Sequence, residues 1–257
     1  EERHSVTFRI RTEKAKDKGH GVWFNRGAIA SHALGAQFQN KMVTSEMFND
    51  VSDDGKLRNR EVEWLSRGLT EACLAFVNDT QAGEGLRVCA YEFGYLPFAK
   101  ALKRAIDRGV DVRLVYHDSK KPNDSARALI EEVGIPKTRE IDGARQQIVF
   151  PRTRTAIPHN KFIVRLDADE PVEVWTGSTN FTDTGFLGQT NVGHVVVDKK
   201  VAGDFLAYWE NLKDDPVKSA ALRFTVDAFP NPPNVIAENS TVMFCSPRVA
   251  HNMLDWY

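Results

Sequence analysis

Residues 86–116 read LRVCAYEFGYLPFAKALKRAIDRGVDVRLVY, and this stretch decides the fold. Leu86 to Tyr91 is a short apolar run of strand formers. After Gly94, the segment from Pro97 carries apolar residues at helical spacing and stops at Gly109, a residue suited to a helix C-terminus. Val110 to Tyr116 then alternates as a strand does. Strand, helix, strand in that order is a βαβ unit, whose crossover predicts two parallel neighbours in one sheet.

Upstream, EVEWLSRGLTEACLAFV from Glu61 places Val62, Leu65, Leu69, Cys73 and Phe76 on one helical face, which Gly83 and Gly85 end. Downstream, a second helix over Ser125 to Val133 stops at Gly134. Residues 135–158 read as a long connection carrying Arg139, Arg145, Arg152 and Arg154. Strands follow at Lys161 to Leu166 and Val172 to Thr176, then a loop from Gly177, a strand at Val192 to Asp198 and a helix from Val201 to Leu212. The class is α/β.

Residues 1–60 read as an irregular segment, with a strand at Ser5 to Arg11 and a short apolar-periodic run from Ile29 to Phe38. Three prolines in Phe229 to Asn234 (FPNPPN) mark a linker. Beyond it Val242 to Cys245 reads as a strand, and Val249, Met253 and Tyr257 begin a helical pattern. This restarts the Leu86 unit at an offset of about 155 residues, the length of one domain. The expected division is 1–60, 61–228 and 229–257, with the chain stopping inside a second copy.

At 257 residues and 42% hydrophobic content the chain fills a substantial core, and 34 basic against 35 acidic side chains leave a net charge of −1. No global field gathers polyanions, so a nucleic-acid role needs a local patch. Between Lys137 and Arg165 there is one: seven basic residues (Lys137, Arg139, Arg145, Arg152, Arg154, Lys161, Arg165) against Glu140 and Asp142. Cys73, Cys89 and Cys245 are odd in number and widely spaced, which suits reduced thiols and a cytoplasmic protein. No apolar run approaches the roughly 20 residues of a membrane span, and the N-terminus lacks the basic-then-apolar order of a signal peptide.

The chemistry-bearing residues are His159-Asn160-Lys161 at one strand start and Gly177-Ser178-Thr179-Asn180 directly after the next strand. An imidazole and an ammonium two residues apart on a strand point to the same side. The small polar turn offers hydroxyl, amide and backbone donors to phosphate oxygens. Together they suit a phosphodiester, with His159 attacking phosphorus while Lys161 and Asn180 neutralise the equatorial oxygens, and no metal or cofactor is required. Against this stands a polar strand end beside an ordinary turn.

Other patterns are weaker. Asp50-Val51-Ser52-Asp53-Asp54-Gly55 with Glu61 has the spacing of a calcium loop, D-x-S-x-D-G-x5-E. Its flanking Lys56, Arg58 and Arg60, and the lack of a paired second loop, favour a polar turn and helix cap. His117 ends a strand and faces the same cleft or solvent, and His194 reads as a core residue.

At His159 the sequence resembles a family, the phospholipase D superfamily, whose signature is H-x-K-x4-D followed by G-S/G-x-N. IPHNKFIVRL and WTGSTNFTDTGFLGQTN are similar to its motif and downstream loop, and residues 91–116 to the unit that opens each of its repeats. The resemblance covers residues 61 to 213, in the manner of a bacterial-type tandem-repeat member cut after its first repeat. It implies a mixed sheet sandwiched between helices and a site completed by a second repeat, in cis or in a homodimer. It also implies a covalent phosphohistidine on one histidine while the other protonates the leaving alcohol. By resemblance His159 is nucleophile or general acid, Lys161 and Asn180 grip phosphate, and Ser178 assists. The substrate class stays open between a phospholipid head group and a nucleic-acid phosphodiester. Two departures stand out. Leu166 falls where the motif has its aspartate, with Asp167 one residue late, and Gly193 falls where an orienting acid often follows the loop. Glu92 is a candidate substitute for that acid. A catalytically inactive phosphate-binding or scaffolding repeat is the alternative reading.

Overall fold

The computed structural model describes residues 19–27, 29–141, 143–229 and 241. The strand at Ser5 to Arg11, most of the FPNPPN linker and the restart from Val242 lie outside the described residues.

The βαβ unit forms as its pattern predicts. Strand β2 (Gly85–Ala90) runs parallel to β3 (Asp111–His117) with Leu86 opposite Val112, and the crossover is a helix over Leu96–Asp107. Gly109 ends that turn with φ +100°, a conformation that favours glycine. Two strands later in the chain, β7 (Lys161–Asp167) and β8 (Glu170–Gly177), form an antiparallel hairpin, and β7 lies against the other edge of β2. The sheet has seven strands. With β1 (His20–Phe24), β6 (Val149–Arg152) and β9 (Val192–Val196), its order is β1-β9-β8-β7-β2-β3-β6. A separate hairpin pairs β4 (Thr138–Ile141) with β5 (Ala144–Gln147).

Every residue of β2 is buried, as a central strand covered on both faces requires. Its alternate side chains enter two cores. Leu86, Val88 and Ala90 face a large cluster built with α3 (Arg60–Ser66), α4 (Leu69–Asn78), the crossover helix α5 and α6 (Ser125–Val133). Cys89 faces a smaller cluster in which Phe162, Val164 and Leu166 of β7 meet Val201, Trp209 and Leu212 of α7 (Lys199–Lys213). The indole of Trp209 also donates to the Val88 carbonyl at 2.8 Å. Helix α8 (Lys218–Ala228) packs beside α7, and the short helices α1 (His32–Gln37) and α2 (Ser45–Asn49) complete the other side. The architecture is a mixed sheet sandwiched between helices.

Three local readings change. The helical stretch expected over residues 61–77 is two helices, because Arg67 (φ +52°) and Gly68 (φ +91°) are left-handed. Val62, Leu65, Leu69, Cys73 and Phe76 all enter one core, so the apolar spacing runs across the break. The connection at 135–158 holds β6, which carries Pro151 and lies at the sheet edge, where a missing N–H is tolerated. Residues before 61 are not irregular throughout, since β1 pairs antiparallel with β9, His20 opposite Val196.

Candidate functional site

The site gathers at the C-terminal end of β2. Pairing of Ala90 with Lys161 brings the start of β7 beside residues 91 and 92. Pro158 precedes the strand and His159 leads into it. The Lys161 ammonium lies 3.1 and 3.3 Å from the two ring nitrogens of His159 and donates to the His159 carbonyl oxygen at 3.1 Å. The same-side placement expected from strand geometry therefore becomes direct contact. Tyr91 backs the pair, its ring centroid 4.8 Å from the imidazole and 5.5 Å from the ammonium.

The second motif arrives from β8. Gly177 ends the strand at φ +144°, and a Cβ there would lie 2.2 Å from the Val192 carbonyl oxygen, so only glycine lets β9 approach so closely. Thr179 is buried and donates to that same carbonyl at 2.8 Å. Phe181 stacks on Phe98 with centroids 4.4 Å apart, and its carbonyl accepts from Gly94 and Tyr95. Asn180, between these anchors, donates through Nδ2 to Glu92 Oε2 at 2.5 Å, and among the described residues its buried Oδ1 has no partner. Asn180, Glu92, Tyr91, His159 and Lys161 thus form one continuous group.

Ser178 is exposed and engaged with β9. Its hydroxyl donates to Asn191 Oδ1 at 2.8 Å and accepts from Val192 N at 3.1 Å, which ties the turn to β9. Asp167 is not brought in. It is exposed at the far end of β7, about 20 Å along the strand from Lys161 at the usual rise per residue. Leu166, at the aspartate position of the motif, is buried among Val164, Val174 and Trp209.

The electrostatics follow the geometry. Partial desolvation, followed by the Lys161 charge, holds the His159 imidazole below its ordinary value, while Glu92 pulls it upward. Burial lowers Lys161, opposed by Glu92. A largely neutral imidazole beside a cation and an amide donor can attack an electrophilic phosphorus and hold its oxygens.

Two clefts flank the group. One of about 610 Å³ is lined by Tyr91, Glu92, His117 and Thr182; His117 stacks on the opposite side of Tyr91, centroids 5.6 Å apart. The other, of about 470 Å³, has His159 on its wall together with Arg152 and Tyr208. Sequence reasoning missed Tyr91, since nothing marks an aromatic at a strand end as a partner. It also missed Asn25, whose buried amide donates to the carbonyls of Phe186 and Gln189 and so clamps the loop after Asn180.

The basic stretch is not one patch. Arg165 pairs with Glu84 and Glu173 at the opposite end of the sheet, Lys137 pairs with Glu131, and Arg139 donates to the Val110 carbonyl. Arg145 donates to Thr138 Oγ1 in the β4–β5 hairpin, so of the seven, among the described residues, Arg152, Arg154 and Lys161 remain. The calcium-like loop is committed as well. Asp54 pairs with Lys56, Asp50 with Arg58, Asp53 with Arg104 and Glu61 with Lys41. No metal-holding group of three or more His, Cys, Asp or Glu occurs among the described residues. His194 lies against His20 near the sheet edge, 2.9 Å between ring nitrogens, away from the cleft.

Fold and motif define a class, the phosphodiesterase-type α/β domains that carry H-x-K and G-S-x-N. The family described as "Cardiolipin synthase, PLD-like domain" matches residues 79–213, more than half of the sequence. The chain belongs to the phospholipase D-like family, whose members are phosphodiesterases. Among solved structures it is similar to Nuc, a phospholipase D family member from Salmonella typhimurium, at 26% identity and TM-score 0.45 over 56% of this chain and 86% of that one. NucT from Helicobacter pylori gives 16% identity and TM-score 0.44 over 59% and 91%. No curated protein matches the chain. Among the described residues no helix is long and apolar enough to cross a membrane.

Proposed function

We propose that this protein cleaves phosphodiesters, of a phospholipid head group or of a nucleic acid, through a covalent phosphohistidine on His159. The observation that carries the reading is the Lys161 ammonium resting 3.1 Å from the His159 ring, with Asn180 reached through Glu92 and Tyr91. The imidazole attacks phosphorus and the P–O bond to the leaving group breaks. A second imidazole protonates that alkoxide. The second imidazole, now neutral, takes a proton from a water that attacks the phosphohistidine, the P–N bond breaks, and the phosphomonoester leaves. Lys161 and Asn180 hold the equatorial oxygens.

Residues 61–228 act in this reading as one repeat, and the second imidazole comes from another repeat in cis or from a second copy of the chain. Buried free thiols at Cys73 and Cys89 favour a reducing, cytoplasmic setting. The alternative, an inactive phosphate-binding or scaffolding repeat, is favoured by Leu166 in the core and by Gly193, whose missing side chain leaves its space to Trp175.

Brief incubation with a labelled diester followed by quenching without acid is expected to leave phosphate on His159 of the wild type and none on His159→Asn. Sedimentation run in parallel reports whether activity follows a dimer. Turnover by His159→Ala at the wild-type rate would overturn the reading; binding without label or turnover would favour the scaffold.

A further inference from the structure

Arg152 closes β6 and is 2% exposed. Its Nη1 donates to Asn160 Oδ1 at 3.3 Å and its Nη2 to Thr155 Oγ1 at 3.4 Å, both neutral acceptors at long range, and among the described residues its buried Nε has no acceptor. Among the described residues it has no carboxylate in ion-pair reach. The other buried arginine of the sheet behaves differently: Arg87 holds Asp111 at 2.8 Å. Half-buried Arg165 holds two carboxylates. A cation taken out of water without a counter-charge is strongly disfavoured, and a guanidinium offers a planar fork matched to oxyanions.

The surroundings give that fork a place to act. Arg152 lines the cleft of about 470 Å³ that has His159 on its wall; Asn160 and Lys218 share its polar side, and Ile157 and Leu222 form its apolar side. Asn160 is itself held, donating to the Tyr208 hydroxyl at 2.8 Å, which fixes the carbonyl that Arg152 touches. The nearest reading of Arg152 as a structural strut leaves its Nε unexplained.

We propose that Arg152 is the counter-charge of an anion subsite, in which the guanidinium, with Lys218 on the same cleft, holds a second phosphate of a ligand whose reacting diester sits at His159. The subsite lies outside the group of His159, Lys161 and Asn180. Its affinity for phosphate does not depend on His159 being the nucleophile, although its place in a substrate does rest on that reading.

The test titrates inorganic phosphate into the full chain and follows the thermal midpoint, with chloride at matched ionic strength as control. Measurements in the Lys161→Met background remove the cation of the neighbouring cluster. There, phosphate is expected to raise the midpoint still, and adding Arg152→Gln to abolish the rise. A rise that survives in the double variant overturns the proposal. Should Arg152→Gln fail to fold, Arg152→Lys keeps a cation without the fork and is expected to weaken phosphate affinity about tenfold; wild-type affinity there overturns it equally. A second arm separates the sources of the anion. Two nitrophenyl diesters differing only by a terminal phosphate are compared, and a lower KM for the two-phosphate compound, lost in Arg152→Gln, assigns the subsite to substrate. Equal KM values with phosphate binding intact assign it to free phosphate. The diester arm is run on the protein with its second imidazole in place, from a further repeat or a second copy; if neither diester turns over there, the catalytic reading falls while the titration still decides the subsite.

Discussion

Trp175 and Gly193, on adjacent strands, share one volume: a Cβ built on Gly193 would lie 2.3 Å from the Trp175 ring and 2.6 Å from Leu69 Cδ1. Trp175 is 1% exposed, and its ring packs against Trp23 and Phe76, so it has nowhere to retreat. The acid that the family resemblance leads one to expect here is therefore sterically excluded. Gly193→Ala is expected to cost about 1–3 kcal/mol through overpacking, and Gly193→Glu more, because it also buries a charge. For a chain of this size that lowers the thermal midpoint by about 2–4 °C per kcal/mol. Trp175→Leu should recover part of the loss in the Gly193→Ala background. Equal midpoints for Gly193→Glu and wild type would contradict the shared volume.

The pH response of His159 has a definite sign. Its native value lies below that of the unfolded chain, about 6.5, because burial and Lys161 disfavour the charged ring. Between the two values the unfolded chain holds the proton and the native protein does not, so this residue's contribution to stability is present above 6.5 and lost as pH falls. With His159 as the proposed nucleophile, its neutral form follows the same direction, and activity should decline on the acid side with a midpoint below 6.5. An NMR titration of the His159 ring reads this directly. Lys161→Met should move the midpoint up, though still short of 6.5 because desolvation is the larger cause, and Glu92→Gln should move it down. A wild-type midpoint above 6.5 would reverse the assignment.

How far the molecule was legible in its sequence can be judged at these residues. Residues 86–116 announced a parallel pair because periodicity and glycine placement are local properties, and His159 with Lys161 announced a shared side because the strand period is two. Local pattern could not show that Arg67 and Gly68 break a helix whose apolar spacing continues across them. Nor could it show that Pro151 belongs to a strand, since only the edge position makes proline tolerable there. The counted basic stretch misled because charge in sequence says nothing of partners: Glu84, far back along the chain, and Glu173, just outside the counted span on the paired strand, neutralise Arg165. Tyr91 and Arg152 gain their meaning only from the register that sets Ala90 beside Lys161 and Arg152 beside His117.

The loop at residues 50–61 should ignore calcium. Each carboxylate of the pattern already faces a cation, and Glu61, buried at the start of α3, is bonded to Lys41 at 2.7 Å. Binding a divalent ion through Asp50, Asp54 and Glu61 would require breaking three such pairs. Millimolar calcium is expected to leave the thermal midpoint where magnesium leaves it, whereas a calcium-specific rise would restore the loop as a metal site. Lys41→Ala, by contrast, frees the buried Glu61 from its partner and should lower the midpoint more at pH 7 than at pH 4, where the carboxylate is closer to neutral.

Glu92 acts on Asn180 in two separable ways, as a hydrogen-bond acceptor and as a charge. Its carboxylate fixes which way the Asn180 amide points, leaving the buried Oδ1 without a partner of its own. It also raises both His159 and Lys161 toward their charged forms. Glu92→Ala removes both effects and is expected to lower kcat/KM roughly tenfold, the consequence of losing one hydrogen bond to a charged group at a positioned donor. Glu92→Gln keeps an acceptor for Asn180 while discarding the charge, so its rate should stay within a few-fold of wild type while its acid limb shifts to lower pH. The two variants therefore separate positioning from electrostatics. If Gln proves as damaging as Ala, with no shift of the acid limb, Glu92 contacts the reacting groups itself instead of orienting Asn180. If Ala matches wild type, the Glu92–Asn180 contact has no part in turnover.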